Sequence, residues 1–268
     1  MKNRTIETYI VDSFTDEPFK GNPAGVCLLE EELSPQQMLN IAGELNLSET
    51  AFLVEKEGYN SIRYFSPKME IPLCGHATLA SAKVLFTDEI EQLVFETIEG
   101  RRLIVKREGE LIVMSFPAFN TIPDKAPTAL LKALDIEKIL NCEYNEENKI
   151  LLLEIGTTVE LAKLNPDFGK LIKTHQGING VVVTTNANDE FDFHSRYFWP
   201  WSGTNEDPVT GGTHTFLAGY WSERLGKKIL KAYQASERSG SMELELIDEN
   251  SVLIKGNATI VLEGQLMV

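Results

Sequence analysis

The amino-acid sequence predicts an α+β protein made of two similar halves. Short runs of β-forming residues, separated by turns that contain glycine, predict strands that are mostly antiparallel. Two motifs occur twice in the same order, which predicts a duplicated domain. In each copy a stretch of small and apolar residues follows the second motif, and this composition is typical of a helix buried on every side. The predicted fold therefore has two pseudo-symmetric domains, each wrapping a meander of strands around a central helix.

The predicted elements of the first half are short strands and one capped helix. Ser34 and Gln37 flank Pro35 in the pattern of a capping box, so a helix is predicted to begin here and to end near Asn46. The predicted strands cover residues 8–14, 24–29, 50–54, 61–65, 93–97, 103–107 and 111–116.

A cluster of prolines marks the predicted domain boundary. Pro117, Pro123 and Pro127 interrupt any regular element, because proline lacks an N–H donor. We therefore predict domains 1–117 and 118–268, an assignment that leaves the final strands free to cross back. The second half is predicted to contain helices over residues 130–134, 137–140 and 213–225, and strands over 150–154, 181–185, 196–198, 241–246, 251–255 and 258–262.

The internal repeat is the most informative pattern in the chain. Residues 63–67 read RYFSP and residues 196–200 read RYFWP. Shortly after each copy, residues 70–77 read EIPLCGHA and residues 206–213 read EDPVTGGT. Because both motifs recur in the same order at nearly the same separation, we interpret them as two similar domains related by a pseudo-twofold axis.

Each repeat places glycine at the start of its helix. The first helix is predicted to begin around Gly75 and His76, and the second around Gly211, Gly212 and Thr213. Helix N-termini present unpaired N–H groups and a partial positive charge, and glycine lets a ligand approach the backbone closely. Two such termini facing each other would bind an anion, although ordinary strand-to-helix turns would show the same pattern.

The net charge of the chain limits the classes of molecule that it is expected to bind. The 268 residues carry a formal net charge of −15, which repels nucleic acid and anionic membrane surfaces. No apolar segment is long enough to suggest a secretion leader or a membrane span. We expect a soluble cytoplasmic protein that binds neither nucleic acid nor membranes, and whose partner is a small anionic metabolite.

The cysteines predict a reducing compartment and no metal site. Cys27, Cys74 and Cys142 are odd in number and widely spaced, without a CxxC pair or a zinc-ligand spacing. Three histidines, His175, His194 and His214, likewise lack a metal-ligand spacing. We therefore predict no metal and no disulfide framework.

Four segments resemble the phenazine-biosynthesis PhzF-like family. These are GNPAGV at residues 21–26, LSETAF at 47–52, EIPLCGHAT at 70–78 and EDPVTG at 206–211. The resemblance covers nearly the whole chain in the same order. It implies the diaminopimelate-epimerase fold, in which two domains with strongly curved sheets share one cleft. It also implies an isomerase or epimerase that needs no cofactor and is often a homodimer.

Three residues are candidates for catalysis. Glu49 follows an apolar helix end, so its carboxylate is either partly desolvated and reactive or a surface group; the resemblance matches it to the family's proton-shuttling glutamate. The resemblance also matches His76 to a site histidine and Asp207 to a second site acid. From local context alone, His76 also fits a structural hydrogen-bonder, and Asp207 fits an acid that stabilises a helix dipole.

Further residues are predicted to bind the substrate. They surround the two helix starts, apart from one residue in the Gly-Asn-Pro turn that also fits a purely structural role. The candidates are Asn22, Gly75, Ala77, Thr210, Gly211, Gly212 and Thr213.

The repeat argues against a racemase with two thiols. It aligns Cys74 with Thr210, and a threonine hydroxyl is too weakly acidic to act as a thiolate-like base. The sequence also departs from the best-known phenazine enzymes, because Gly212 stands where they carry serine. Thr213 offers a replacement hydroxyl, but the phenazine precursor is in doubt as the substrate.

The sequence thus predicts a cofactor-independent isomerase acting on a small carboxylate-bearing metabolite. Glu49 would move a proton between two carbons of the substrate, with His76 and Asp207 tuning the transfer. Two alternatives stay open: an epimerase or racemase acting at one centre with Glu49 and either Cys74 or His76, and a metabolite-binding protein without activity. A hydrolase built on Cys74 is a weaker third hypothesis.

Overall fold

The computed structural model describes residues 5–268, and the chain divides into two compact units. One unit comprises the described residues up to Ser115 together with Lys255–Val268, and the other is Phe116–Ile254. Residues 1–4, the start of the predicted first domain, lie outside the described part of the chain. Residues 255–268, which the prediction assigned to domain 118–268 while allowing a crossing back, belong to the first unit.

The first unit contains a mostly antiparallel sheet and two helices. Its strands are β1 (Thr5–Ser13), β2 (Asn22–Leu29), β3 (Glu49–Lys56), β4 (Tyr59–Phe65), β5 (Glu70–Ile71), β6 (Gln92–Thr97), β7 (Arg102–Glu108), β8 (Leu111–Pro117), whose last residues belong to the second unit, and β18 (Ala258–Met267). Its helices are α1 (Pro35–Leu45) and α2 (Gly75–Leu85). The last strand, β18, pairs antiparallel with β1, and this pairing explains why the end of the chain joins the first unit.

Both helices of the first unit form for reasons visible in the sequence. At α1 the capping box is confirmed, since the Ser34 side chain accepts a hydrogen bond from the Gln37 backbone N–H, and Asn46 ends the helix at φ 50°. Helix α2 is buried along its first turns and contacts β1, β2, β3 and β18. The prediction of a helix enclosed by the sheet is therefore confirmed for this unit.

The second unit repeats this plan with more helices. Its strands are β9 (Ile122–Pro123), β10 (Asn141–Asn145), β11 (Ile150–Glu154), β12 (Gly180–Asn186), β13 (Phe193–Trp199), β14 (Thr204–Asp207), β15 (Ile229–Gln234), β16 (Gly240–Asp248) and β17 (Ser251–Gly256), whose last two residues belong to the first unit. Its helices are α3 (Thr128–Leu134), α4 (Thr158–Lys163), α5 (Phe168–Leu171) and the long, buried α6 (Gly211–Leu225). In the described part of the chain, every helix is too short or too polar to cross a membrane.

Strand pairing confirms the duplication. In the first unit, β4 pairs antiparallel with β3 and β5 and parallel with β6. In the second, β13 pairs antiparallel with β12 and β14 and parallel with β15. The two repeated motifs therefore occupy the same positions in the same local topology.

A bidentate ion pair joins the two motifs of each repeat. Arg63 donates to both carboxylate oxygens of Glu70 at 2.8 Å, and Arg196 donates to both oxygens of Glu206 at 2.7 Å. The guanidinium of Arg196 also lies over the ring of Phe198, 4.9 Å from its centroid. The two copies of the repeat thus share an arginine and a glutamate that together fix a hairpin.

One predicted helix is absent and two others were missed. Residues 137–140 are not helical, because α3 ends at Asp135 in the left-handed conformation and the Leu140 N–H then donates to the Glu154 carbonyl, which leads the chain into β10. Helices α4 and α5 are short and were not predicted. The signal for α4 was present, since Thr157 caps it by accepting from the Glu160 N–H.

Candidate functional site

The fold brings Glu49, Cys74 and His76 together. Glu49 is the first residue of β3, opposite Ala24 in the parallel strand β2. Its Oε2 lies 3.2 Å from His76 Nε2, and the exposed fractions of the histidine and glutamate side chains are 11% and 16%. Cys74 Sγ lies 3.3 Å from His76 Nδ1. A carboxylate, an imidazole and a thiol therefore form a continuous chain of contacts.

The turn before α2 holds these side chains in place. The Ser13 hydroxyl donates to the His76 carbonyl at 2.8 Å, and the Thr78 hydroxyl donates to the Cys74 carbonyl at 2.7 Å. Thr78 in turn contacts the hydroxyl of the buried Tyr64 at 2.6 Å. Hydrogen bonds from two neighbouring elements thus fix the backbone on which the imidazole and the thiol are carried.

Burial and mutual contact set the protonation of this group. Burial raises the pKa of the Cys74 thiol. Burial acts to lower the pKa of His76, but the contacts with Cys74 and Glu49 outweigh it and raise the pKa of His76 well above 6.5. The imidazole therefore favours its protonated form beside the Glu49 carboxylate, contrary to what its place at a helix N-terminus alone would favour.

The predicted substrate-binding residues of the first unit differ in their exposure. Gly75 and His76 are partly exposed at the start of α2, whereas Ala77 is fully buried. Asn22 is also buried, and its Oδ1 accepts a hydrogen bond of 3.1 Å from the hydroxyl of Ser48, the residue before Glu49. Asn22 thus braces the strand end that carries the carboxylate.

A separate polar group lies at the start of α6 in the second unit. The Thr210 hydroxyl donates to the carboxylate of Asp207. Gln234, at the end of β15, accepts from the Thr210 N–H at 2.9 Å and donates to the Asp207 carbonyl at 2.7 Å. The sequence did not identify Gln234 as a site residue. Gln234 comes beside the turn only through strand pairing, and no nearby motif marks it.

The remaining candidates at α6 differ in what they offer a ligand. A Cβ added at Gly212 would meet nothing within 4 Å, so space is open beside this backbone. Thr213 is fully buried and its hydroxyl donates to the Thr210 carbonyl at 3.0 Å. The sequence predicted that the Thr213 hydroxyl replaces the serine hydroxyl of the phenazine enzymes. In the structure this hydroxyl is instead hydrogen-bonded at the start of α6.

His214 is a structural histidine of the same helix. It is fully buried, and its Nδ1 contacts the Thr210 carbonyl at 2.7 Å. Burial lowers its pKa to about 4, and its ring stacks on Phe193 with centroids 5.9 Å apart. The same position in the first repeat is Thr78, which also bonds the carbonyl four residues before it.

The two units are not equivalent in their acid–base groups. Phe52 pairs with Arg63, and Val183 pairs with Arg196, the equivalent arginine of the second repeat. Phe52 and Val183 therefore occupy equivalent positions. Three residues before them stand Glu49 and Gly180, which the repeat thus aligns. A Cβ at Gly180 would lie 2.6 Å from the Tyr197 ring, which excludes any side chain there. The second motif likewise aligns Cys74 and His76 with Thr210 and Gly212. Only the first repeat carries the carboxylate, imidazole and thiol.

The same three side chains also form a set of potential metal ligands. One ligand atom of each of Glu49, Cys74 and His76 lies within 4.8 Å of the other two. Sequence spacing predicted no metal site, because Glu49 is distant in sequence and comes beside the turn only through β3. The fold thus creates a donor set that no short motif reveals.

Comparisons with known proteins agree with the predicted family and fold. The family model PhzC-PhzF, described as phenazine biosynthesis-like protein, matches residues 11–264. A relative from Pseudomonas aeruginosa named as an uncharacterized isomerase is 43% identical, over 96% of each chain. The crystal structure of a PhzF family protein from Enterococcus faecalis is 39% identical, covers 99% of this chain and 100% of its own, and has a TM-score of 0.92.

A more distant structure supports the epimerase-like fold. A hydroxyproline epimerase from Agrobacterium vitis is 10% identical and has a TM-score of 0.61, over 99% of this chain and 93% of its own. The predicted α+β fold class is therefore confirmed, and the relative named as an isomerase supports an isomerase role. The extent of the family match and the identity to these relatives show that the chain belongs to the phenazine biosynthesis-like (PhzC-PhzF) family.

Proposed function

We propose that the chain is a cofactor-independent isomerase that moves a proton within a small carboxylate-bearing metabolite. The contact of 3.2 Å between Glu49 Oε2 and His76 Nε2, in a nearly buried position, is the observation that carries the proposal. A nearly buried carboxylate can act as a general base, because few water molecules compete with the substrate for it. The protonated imidazole beside it stabilises the charge and fixes the direction of the reactive oxygen.

The proposed reaction keeps atoms and charge in balance. The Glu49 carboxylate takes a proton from an activated carbon of the substrate, which leaves a delocalised carbanion and a neutral carboxylic acid. The acid then returns the proton to another carbon of the same molecule, so the double bond moves and Glu49 is again ionised. In this reaction His76 is a positioning residue, and it is neither consumed nor oxidised.

Backbone donors are proposed to hold the substrate carboxylate. The first turn of α2, at Gly75 and His76, presents N–H groups of the kind that bind anions at helix N-termini. The open space beside Gly212, at the start of α6, gives the second unit the same capacity. Asp207, whose carboxylate accepts from Thr210, is proposed as the second acidic site residue.

Epimerisation at one centre is the second candidate function. The 3.3 Å contact between Cys74 Sγ and His76 Nδ1 favours it, because a thiol in this position would serve as a second proton donor beside Glu49. The alignment of Cys74 with Thr210 disfavours the version with one thiol from each repeat. The two functions differ in the carbon that receives the returning proton.

Solvent exchange in D₂O tests the proposal. The protein is incubated with a panel of small unsaturated acids and amino acids, and NMR records the position of the double bond and of any deuterium. Isomerisation moves the double bond and places hydrogen or deuterium on a carbon different from the one that lost its proton, whereas epimerisation labels and inverts one carbon.

The matched variants are Glu49→Gln and Glu55→Gln, since Glu55 is an exposed carboxylate on the same strand. We expect Glu49→Gln to lower the exchange rate by about 10²–10⁴-fold and Glu55→Gln to leave it unchanged. If wild type neither moves a double bond, nor inverts a centre, nor exchanges substrate protons, and Glu49→Gln binds a ligand equally well, the protein is a metabolite-binding protein instead.

A further inference from the structure

We propose that Glu49, Cys74 and His76 form a binding site for Zn²⁺, and that the bound cation inhibits the activity proposed above. A thiolate, an imidazole and a carboxylate are all ligands that Zn²⁺ takes in proteins. Within residues 5–268 these three side chains are the only group of this kind whose ligand atoms all lie within 4.8 Å of one another. Only the inhibition rests on the proposed function; the binding does not.

The distances suit a tetrahedral ion. Zinc bonds of about 2.0–2.1 Å to nitrogen and oxygen and about 2.3 Å to sulfur place neighbouring ligand atoms roughly 3.3–3.6 Å apart. His76 Nε2 lies 3.2 Å from Glu49 Oε2 and 3.9 Å from Cys74 Sγ. Because Cys74 Sγ lies closer to Nδ1 of His76 than to Nε2, the Cys74 side chain has to rotate towards Nε2 before the three ligand atoms can surround one cation. The cation would then take the place of any proton between the histidine and the glutamate.

Charge balance favours a divalent cation at this position. A thiolate from Cys74 and a carboxylate from Glu49 neutralise Zn²⁺, and His76 adds a neutral donor. The three side chains are nearly buried, with the cysteine 7% exposed, and a neutral complex avoids the cost of a buried unpaired charge. Mg²⁺ prefers oxygen ligands and several waters, so this set of donors selects against it.

Occupancy would remove the base from the reaction. Once its oxygen is bound to zinc, the Glu49 carboxylate no longer accepts a proton from a substrate carbon. The repeat offers no second site, because the aligned positions in the other unit are Gly180, Thr210 and Gly212. Three protein ligands leave a fourth position for water, as in other zinc sites that stay accessible.

Cobalt absorption tests the site in the resting protein without substrate. Co²⁺ is added under anaerobic conditions as a spectroscopic probe, and Zn²⁺ and then Mg²⁺ are tested as competitors. We expect thiolate-to-cobalt absorption in the near ultraviolet, removed by one equivalent of Zn²⁺ but not by Mg²⁺. Cys74→Ser should abolish the absorption, and Cys142→Ser, which changes another free and buried cysteine, should keep it.

A second variant keeps the proposal falsifiable if Cys74→Ser does not fold. Glu49→Gln should weaken Zn²⁺ binding by at least about tenfold, measured by competition with a chelating dye. Absence of the cobalt absorption in wild type, its survival in Cys74→Ser, or unchanged Zn²⁺ affinity in Glu49→Gln would each overturn the site. These readings are independent of turnover, so their failure leaves the isomerase proposal intact. An inactive protein that binds Zn²⁺ contradicts the isomerase, and with it the inhibition, but not the binding site.

Discussion

Nε2 of His76 lies 3.2 Å from Oε2 of Glu49, although the two residues belong to different elements of the first unit. Glu49 begins a strand, and His76 lies at the start of the helix that this sheet encloses. Strand β3 pairs in parallel with β2, and its first residue lies beside the start of the helix. The proposed proton carrier is therefore positioned by the sheet rather than by a local loop.

Replacing His76 should slow catalysis more than it weakens binding. His76→Gln removes the charged partner that orients the Glu49 carboxylate, and a small misplacement of a reacting group costs about 10²-fold in rate. We expect kcat for proton exchange to fall by about this factor while KM changes little. Steady-state kinetics with His175→Gln as the control, a histidine on a loop of the second unit, measures the effect; an unchanged kcat would contradict the positioning role.

Replacing Cys74 separates the two candidate functions. In the proposed isomerase the thiol carries no proton, so Cys74→Ala should retain most of the exchange activity. In a single-centre epimerase that uses the thiol, the same variant should lose activity by about 10²–10⁴-fold. Deuterium incorporation measured on wild type and variant side by side decides between them. Full activity would also dismiss the hydrolase hypothesis built on this thiol.

The two repeated arginines should differ in their contribution to stability. Arg63 and Arg196 each form a bidentate pair with a glutamate, but Arg196 also donates to the carbonyls of Leu161 and Leu164 at 3.2 and 2.8 Å. Breaking a buried pair from one side costs about 3–5 kcal/mol. We expect Arg196→Met to reach this range and Arg63→Met to cost less, as measured by urea unfolding. Equal losses would show that the extra carbonyl contacts add nothing.

His214 should make stability depend on pH. Its pKa is lowered by burial to about 4 in the folded protein, against 6.5 as the ordinary value. Between these values the unfolded chain binds more protons than the folded one, so stability is full above about pH 6.5 and falls as the pH drops towards 4. The full effect is of the order of 3 kcal/mol.

The repeat itself supplies the variant that tests this effect. Thr78 stands at the matching position of the first copy and bonds the equivalent carbonyl, so His214→Thr keeps that hydrogen bond. We expect the variant to unfold with a shallower dependence on pH between 6.5 and 4 than wild type, whatever its absolute stability. Parallel slopes for the two proteins would show that another group controls the acid response.

The duplicated fold was predictable because its signals are local. The capping box at Ser34, the glycine-started helices and the two repeated motifs all depend on residues close together in sequence. The repeated motifs also contain His76 and Asp207, so the sequence places both residues close to the matching helix starts. The extra helix predicted over residues 137–140 failed because apolar spacing alone cannot show that Asp135 adopts φ 63° and ends α3.

The contacts of the site were not predictable, because they depend on strand pairing. Nothing near Cys74 in sequence indicates that Glu49 lies beside it, and nothing near Thr210 indicates that Gln234 holds its backbone. The exclusion of a side chain at Gly180 likewise follows from the position of the Tyr197 ring. Register between distant strands decides all three relationships.

The pairing of β1 with β18 also sets the order in which the chain completes itself during synthesis. Ile6 of β1 pairs with Leu266, so this strand pair forms only after residue 266 has been synthesised and has left the ribosome. Residues 116–254 form one uninterrupted unit and have all their own strands before that moment. The unit that carries Glu49 is thus completed after the other, so a ribosome that stops before β18 releases a chain in which that unit lacks its closing strand.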